Sequence, residues 1–402
     1  MKKKKERRLI PSSYHLRNYN FKLVLYALTL SIIGIVVVQS ASVNETQAGM
    51  FSTVQKQIMG VALGIIAMII LSLVDYHKLL KLSIPIYLVN IALLIYVRFG
   101  TSYSFMGAKR WIYVPGFGTV QPSEFSKLAL VIMGAWLLGK LQKKINNVFV
   151  LILYLAVMGV TAVLILIEPN LSTTLEILFG IAAMLFLANI SWKWITGVLA
   201  VFAAVIGIIL FAVYQPEQTL LNQLVEKNIV QDYQVDRINA YFFPDEYPDL
   251  TRQQLNSVMA IGGGQLYGKG LNTSTLESVK NGGFLSEEQS DFIFAVVGEE
   301  LGFVGCMFLI LLYVLIMIEG LRIAGRSPDF EGRVIAGGLI SIFIFQCFVN
   351  MGVATLLLPN TGTPLQFISA GMSSLLGSFC TIGILLNIGL HKKRNILMEG
   401  TL

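Results

Sequence analysis

Asp291 stands where the longest polar stretch of the chain runs into an apolar segment. Glu299 and Glu300 follow inside that segment, in the series Asp291-Phe-Ile-Phe-Ala-Val-Val-Gly-Glu299-Glu300-Leu-Gly. An ionisable group at membrane depth costs about 2.5–3.5 kcal/mol on insertion scales, so such groups tend to mark sites. Glu299 lies two helical turns beyond Asp291, and the spacing predicts both carboxylates on one helix face. A carboxylate partly desolvated at the membrane surface has its pKa raised towards the range of a general base. An acid placed at a helix start by the macrodipole is the plainer reading, and position alone leaves both open.

Cations stand elsewhere in the chain. Lys109-Arg110-Trp111-Ile and Gln121-Pro-Ser-Glu124-Phe-Ser-Lys127 flank the start of an apolar run. Arg holds phosphate oxygens through its planar fork and Lys as a point charge; interfacial anchoring beside Trp111 and Tyr113 is the alternative. Arg237, in Tyr233-Gln-Val-Asp-Arg-Ile, reads by itself as a solvated loop charge. Gly262 to Gly270 nearly spells a phosphate-binding loop. However, Gly270 follows Lys269 where Ser or Thr is needed and no strand precedes it, so tight backbone turns beside a groove are expected. Pro169 in Glu168-Pro-Asn170-Leu-Ser172-Thr173 marks a helix break, with Ser172 able to cap the next helix. The small polar residues of Pro364 to Ser374, Ser369 and Ser373 among them, open the last apolar run and suit close packing or a cavity lining.

These residues need a scaffold, and composition supplies its class. The 402 residues are 55% hydrophobic and 13% charged, against roughly 25% charged in soluble domains. Ten apolar runs are long enough to cross about 30 Å of hydrocarbon: 23–39, 57–74, 82–97, 124–139, 149–167, 173–190, 194–214, 292–318, 333–357 and 365–390. The expectation is an all-α integral membrane protein of about ten transmembrane helices, one polytopic domain over 1–402. The net charge of +7 does not indicate nucleic acid, because the bases cluster at Lys2 to Arg8, Arg17 and Lys22, at His77 to Lys81, at Lys140 to Lys144, at Arg322 to Arg333 and at Lys392 to Arg394. With the N-terminus inside, each cluster falls on the cytoplasmic side. Both termini are then cytoplasmic, 1–22 is a basic tail, and 215–290 is a large extracytoplasmic loop between helices seven and eight. Within that loop, Leu220 to Val230 and Leu250 to Ile261 have helical potential. Cys306, Cys347 and Cys380 sit inside apolar runs and offer neither disulfide nor metal spacing. His15, His77 and His391 all fall on the cytoplasmic flank, so outer-face chemistry must run without histidine.

Taken in order, Lys109-Arg110-Trp111-Ile, Gln121-Pro-Ser-Glu-Phe-Ser-Lys127, Glu168-Pro-Asn-Leu, Arg237-Ile, Ala260-Ile-Gly-Gly-Gly, Gly268-Lys-Gly and Asp291-Phe-Ile-Phe-Ala with Glu299-Glu300-Leu-Gly resemble the SEDS family (shape, elongation, division and sporulation) over nearly the whole chain. That family includes the FtsW and RodA peptidoglycan polymerases and SpoVE-like members. The resemblance implies a glycosyltransferase of the bacterial cytoplasmic membrane that polymerises lipid II on the outer leaflet. Asp291 maps to the catalytic aspartate; Arg110, Lys127 and Arg237 map to substrate-binding cations, with Lys109, Glu124, Glu299, Ser369 and Ser373 as further candidate contacts. A divalent cation, Mg or Mn, is compatible with the chemistry; no nucleotide is called for. The implied partners are a class B penicillin-binding protein, a transpeptidase, and other divisome or elongasome membrane proteins. The chain departs from the family pattern at Glu168 and Asn170 (usually Gln and Asp), at Ser286 to Ser290, and at Gln366, Ala370 and Met372. A flippase for lipid-linked precursors and a non-catalytic scaffold are the competing functions.

Chemistry agrees with the resemblance. An outer-face enzyme has no nucleotide sugars and must take a donor already activated on a lipid. Pyrophosphate leaves well, so one base on the incoming hydroxyl suffices, giving inversion with an undecaprenyl-pyrophosphate leaving group. Glycosidases, by contrast, need two carboxylates.

Overall fold

The computed structural model describes residues 19–42, 52–100, 109–114, 118–215, 223, 225–226, 232–272 and 288–391. It is mostly helical. In chain order the helices are α1 (Phe21–Ala41), α2 (Thr53–Leu73), α3 (Tyr76–Lys81), α4 (Ser83–Phe99), α5 (Pro122–Leu141), α6 (Val148–Ile167), α7 (Leu171–Leu187), α8 (Trp192–Val213), α9 (Asp232–Phe242), α10 (Pro248–Gly263), α11 (Ile293–Arg326), α12 (Phe330–Ala354) and α13 (Met372–Leu390). One short antiparallel hairpin, β1 (Ile112–Val114) with β2 (Gly118–Val120), departs from the all-α expectation.

Each expected apolar run coincides with a helix, and six helices (α1, α2, α6, α11, α12, α13) have the length and hydropathy to cross a membrane. The chain is a multi-pass membrane protein. Burial separates inner helices from outer ones: the apolar windows of α12 and α13 are 72% and 78% buried, whereas those of α1, α2, α6 and α11 are 28–39% buried. A helix apolar on all sides and largely exposed is one made for lipid. The centre is therefore α12 and α13, packed by α2, α5, α7 and α11. Close approach is allowed by glycine: a Cβ on Gly64 of α2 would sit 2.1 Å from the Phe379 ring of α13.

Three local expectations change. The run at 365–390 becomes helical only at Met372; Pro364 to Gly371 is irregular, with Phe367 at φ 66°. Asp291 lies in a turn before α11, so the two-turn spacing does not place it on a helix face with Glu299. Finally, α11 is broken at Gly302 (φ 66°, ψ −164°). There the glycine-rich segment takes over the ladder: Lys269 and Gly270 N–H donate to the Glu299 and Glu300 carbonyls, while Phe303 and Val304 N–H donate to Gln265 and Leu266. Only glycines fit so close a crossing, since a Cβ on Gly264 would meet the Gly298 carbonyl at 1.9 Å. The near-match to a phosphate loop is thus a backbone splice at a helix break.

In the polar loop, α10 realises the helix expected at Leu250 to Ile261, and α9 was not anticipated. Most of 220–230 lies outside the described residues, as do residues 1–18 of the expected basic tail (1–22), whose last two residues begin α1, and Lys392 to Arg394.

Candidate functional site

At one end of the bundle, a cavity of about 730 Å³ opens where α5, α7 and α13 begin and α11 is entered. Asp291 lies in its wall, and neighbouring segments fix it there. Ser290 Oγ donates to Asp291 Oδ1 at 3.1 Å, and Asn350 of α12 donates to the Asp291 carbonyl at 2.9 Å and to Thr363 at 2.7 Å. Ser369 Oγ donates to the Ser290 carbonyl at 2.6 Å, and Ala370 N–H donates to Gln289 at 2.8 Å. Gly362 (φ 71°) lets the chain pass the carboxylate, because a Cβ there would lie 3.2 Å from Asp291 Oδ2. Desolvation pushes the Asp291 pKa up, opposed by the Ser290 hydrogen bond and by the Arg237 and Arg110 charges. That is the environment of a carboxylate whose hold on a proton is strengthened by burial while cations stand near it.

Arg110 and Arg237 line the same cavity from different elements. Arg110, just before the hairpin, donates through Nε to the Glu168 carbonyl at 3.2 Å and through a terminal nitrogen to the Pro169 carbonyl. Those carbonyls are left over where α6 ends. Arg237 is carried by α9, which α10 supports: Thr251 Oγ1 donates to Ala240 at 3.0 Å, and Gln254 and Ser257 donate to carbonyls at the end of α12. Glu168, fully buried beneath Arg110, is raised to about 8 by burial, with Arg110 and Arg98 pulling the other way.

The floor is built differently. Lys127 Nζ donates to Glu124 Oε2 at 2.8 Å and to Glu176 Oε2 at 3.1 Å, and Gln346 Nε2 donates to Glu176 Oε2 at 2.7 Å. Two carboxylates share one ammonium, all of them nearly inaccessible. Ser373 accepts the Gln121 N–H at 2.9 Å, tying α13 to the start of α5.

The fold thus brings Asp291, Arg110, Arg237, Glu124 and Ser373 to one cavity. Lys127 lies beneath it, on a smaller void with Glu124 and Gln346. Ser369 lies behind the wall, holding Ser290. Glu299 is not among the lining residues; it is 2% exposed and paired with Lys269 at 2.8 Å. Lys109 is half-buried outside the lining. Trp111, read from sequence as an interfacial anchor, also lines the cavity, as do Glu176 and Asp236; these two acids, and Asn350 and Gln346 that support the cavity, were not among the sequence candidates. Glu176 was findable: it is an acid inside the apolar run 173–190, the same signal that exposes Asp291.

The FtsW/RodA/SpoVE family model, described as "Cell cycle protein", matches residues 21–394. A probable peptidoglycan glycosyltransferase FtsW of Geobacter metallireducens is 33% identical over 386 residues, covering 94% of this chain and 96% of its own. The stage V sporulation protein E of Bacillus subtilis is 32% identical, covering 92% and 97%. In fold, the chain is similar to one solved in a peptidoglycan synthase complex that coordinates polymerization and crosslinking, with a TM-score of 0.72 at 24% identity over 92% of this chain and 97% of that one.

Proposed function

Because the chain belongs to the FtsW/RodA/SpoVE family of cell cycle proteins, we propose that it is a peptidoglycan glycosyltransferase that polymerises lipid II, with Asp291 as the general base. The observation that carries this reading is one cavity in which a desolvated carboxylate shares space with two guanidinium groups from distant parts of the chain. Asp291 takes the proton of the acceptor sugar hydroxyl as its oxygen attacks the anomeric carbon. The carbon–oxygen bond to pyrophosphate breaks, and the charge leaves on undecaprenyl pyrophosphate, held by Arg110 and Arg237. A single displacement inverts the anomeric centre.

The donor set fits a divalent cation in one way. Glu124 and Glu176 share the single Lys127 ammonium, and Asp236 and Asp291 are the further carboxylates of the lining that would hold Mg or Mn. Such an ion would supply further charge neutralisation of the pyrophosphate.

The cavity faces the exterior of the cytoplasmic membrane in this reading. Helix polarity supports it: α5 starts at the cavity and ends at Lys140, and α11 starts beside Asp291 and ends at Arg326, so the basic clusters collect at the far end. Ten crossings, cytoplasmic termini and the outer position of 215–290 follow from that orientation. A class B penicillin-binding protein is the proposed partner, receiving the glycan strands for crosslinking.

The test is polymerisation of labelled lipid II by purified protein in detergent, with and without candidate transpeptidases. Glycan strands from the wild type and none from Asp291→Asn are expected. Strands made at wild-type rate by Asp291→Asn would overturn the assignment. Lipid movement across vesicles without polymer would favour a flippase, and inactivity with every transpeptidase would favour a scaffold.

A further inference from the structure

The end of the bundle opposite the Asp291 cavity holds a second cluster of ionisable groups that polymer synthesis does not use. Asp75 and His77 sit at the turn from α2 into α3, Asp329 caps α12, and His391 closes α13. α13 begins at the cavity with Ser373 and runs 19 residues, so the cluster is roughly 28 Å away. One ligand atom from each of Asp75, His77 and His391 lies within 4.8 Å of the other two.

Hydrogen bonding around the cluster decides which atoms face inward. His391 Nδ1 lies 3.0 Å from the Asn387 carbonyl, which can only accept, so Nδ1 carries a proton. The Nε2 lone pair of the neutral ring is then directed at Asp75 Oδ1, 3.4 Å away, an acceptor facing an acceptor. His77 differs, lying between two carboxylates. Its Nε2 is 2.8 Å from Asp329 Oδ2, and its Nδ1 is 2.7 Å from Asp75 Oδ1. Asp329 is itself fixed, accepting Tyr76 O–H at 2.6 Å and Gly332 N–H at 2.7 Å. With His77 Nε2–H kept on Asp329, a metal ion that displaces the proton between His77 Nδ1 and Asp75 meets three electron-pair donors: an Asp75 oxygen, His77 Nδ1 and His391 Nε2.

We propose that Asp75, His77 and His391 form a binding site for a divalent transition metal of the zinc type, with Asp329 and the Asn387 carbonyl as the outer groups that orient the two imidazoles. Zinc at about 2.0–2.1 Å from each ligand places tetrahedral donors about 3.3 Å apart, close to the His391–Asp75 separation. The 2.7 Å separation of His77 and Asp75 opens by about half an ångström on the same geometry. Two imidazole nitrogens and one carboxylate select zinc-like ions over magnesium or calcium. Carboxylate and carbonyl groups on the distal nitrogens are the usual supports of metal-bound histidine. The His77 side chain is 46% exposed, which leaves a way in and room for water as the fourth ligand. A bound ion clasps the α2–α3 turn to the last turn of α13, and through Asp329 to the α11–α12 connection.

The experiment uses the full-length, tag-free protein in detergent, stripped with chelator and titrated with ZnCl2 by calorimetry and with CoCl2 by visible absorption. One ion per chain is expected, with cobalt bands of four- or five-coordination. Affinity should fall more than a hundredfold in His391→Gln and in His77→Gln, and by about 10–100-fold in Asp329→Asn. His391→Cys, which retains a zinc ligand, should bind and serves as the folding control. Unchanged affinity in both glutamine variants, or less than one ion per chain in the wild type, would overturn the site and leave the histidines as a proton-bridged contact.

Discussion

Asp291 and Glu176 are carboxylates of one cavity with opposite surroundings. Glu176 is saturated: Lys127 and Gln346 both donate to it, and its cation is shared with Glu124. Among the described residues, Asp291 receives a single side-chain hydrogen bond, from its neighbour Ser290, while its backbone is clamped by Asn350. The chain holds the Asp291 main chain firmly and leaves the carboxylate unspent. A buried acid surrounded by donors stabilises and orients; one whose donors act on the backbone is available to a substrate proton. The wall is therefore assigned to chemistry and the floor to architecture.

The sharpest test of that division is Asp291→Asn. It should lower polymerisation by about 10²–10⁴-fold with the thermal midpoint nearly unchanged. If it instead unfolds the protein, the division fails. Lys127→Met should do the reverse, destabilising by about 3–5 kcal/mol because two buried carboxylates lose their cation. Adding Glu124→Gln and Glu176→Gln to that variant should recover much of the loss, read as thermal midpoint. Arg110→Ala and Arg237→Ala should each reduce kcat/KM by about 10²-fold while the protein stays folded; no change at Arg110 would reduce it to a membrane anchor.

The pH profile sharpens the comparison further. Asp291 must be ionised to act, and burial raises its pKa, so activity should climb with pH on an acid limb above the ordinary carboxylate range. Arg237 lowers that pKa, and Arg237→Gln should therefore move the limb to higher pH. The smallest effect is expected from Glu168→Gln. With the folded pKa near 8 and an ordinary value near 4.5, the folded chain holds a proton that the unfolded chain releases. Its contribution to stability is full below pH 4.5 and is lost as pH rises towards 8. The glutamine variant should thus match wild type at acid pH and melt several degrees higher near pH 8.

Arg237 read by itself as a solvated loop charge and became a candidate only through the family resemblance, whereas Asp291 and Arg110 were readable as candidates because charge near an apolar run is conspicuous. Their meeting was not, since Arg110, Arg237 and Asp291 come from separate segments that only packing joins. Ser369 was read as a packing or lining residue and a candidate contact; it stands behind the wall, holding Ser290. Glu299 was read by helical spacing from Asp291; the turn before α11 removes the premise, and Lys269 takes the side chain. His15 lies outside the described residues; His77 and His391 come together, and their convergence needed the ends of α2 and α13 to be neighbours.

Sequence by itself determined the solvent of each segment: apolar runs longer than the hydrocarbon is thick must become helices, because backbone groups in lipid have no other partners. It also fixed the order of polar residues along the chain and the bias of basic ones to one flank. Tertiary structure alone decided which of those residues share a cavity and which neutralise one another. Spacing along a helix reports one face of one helix, whereas a site is assembled by side-chain packing between helices far apart in the chain.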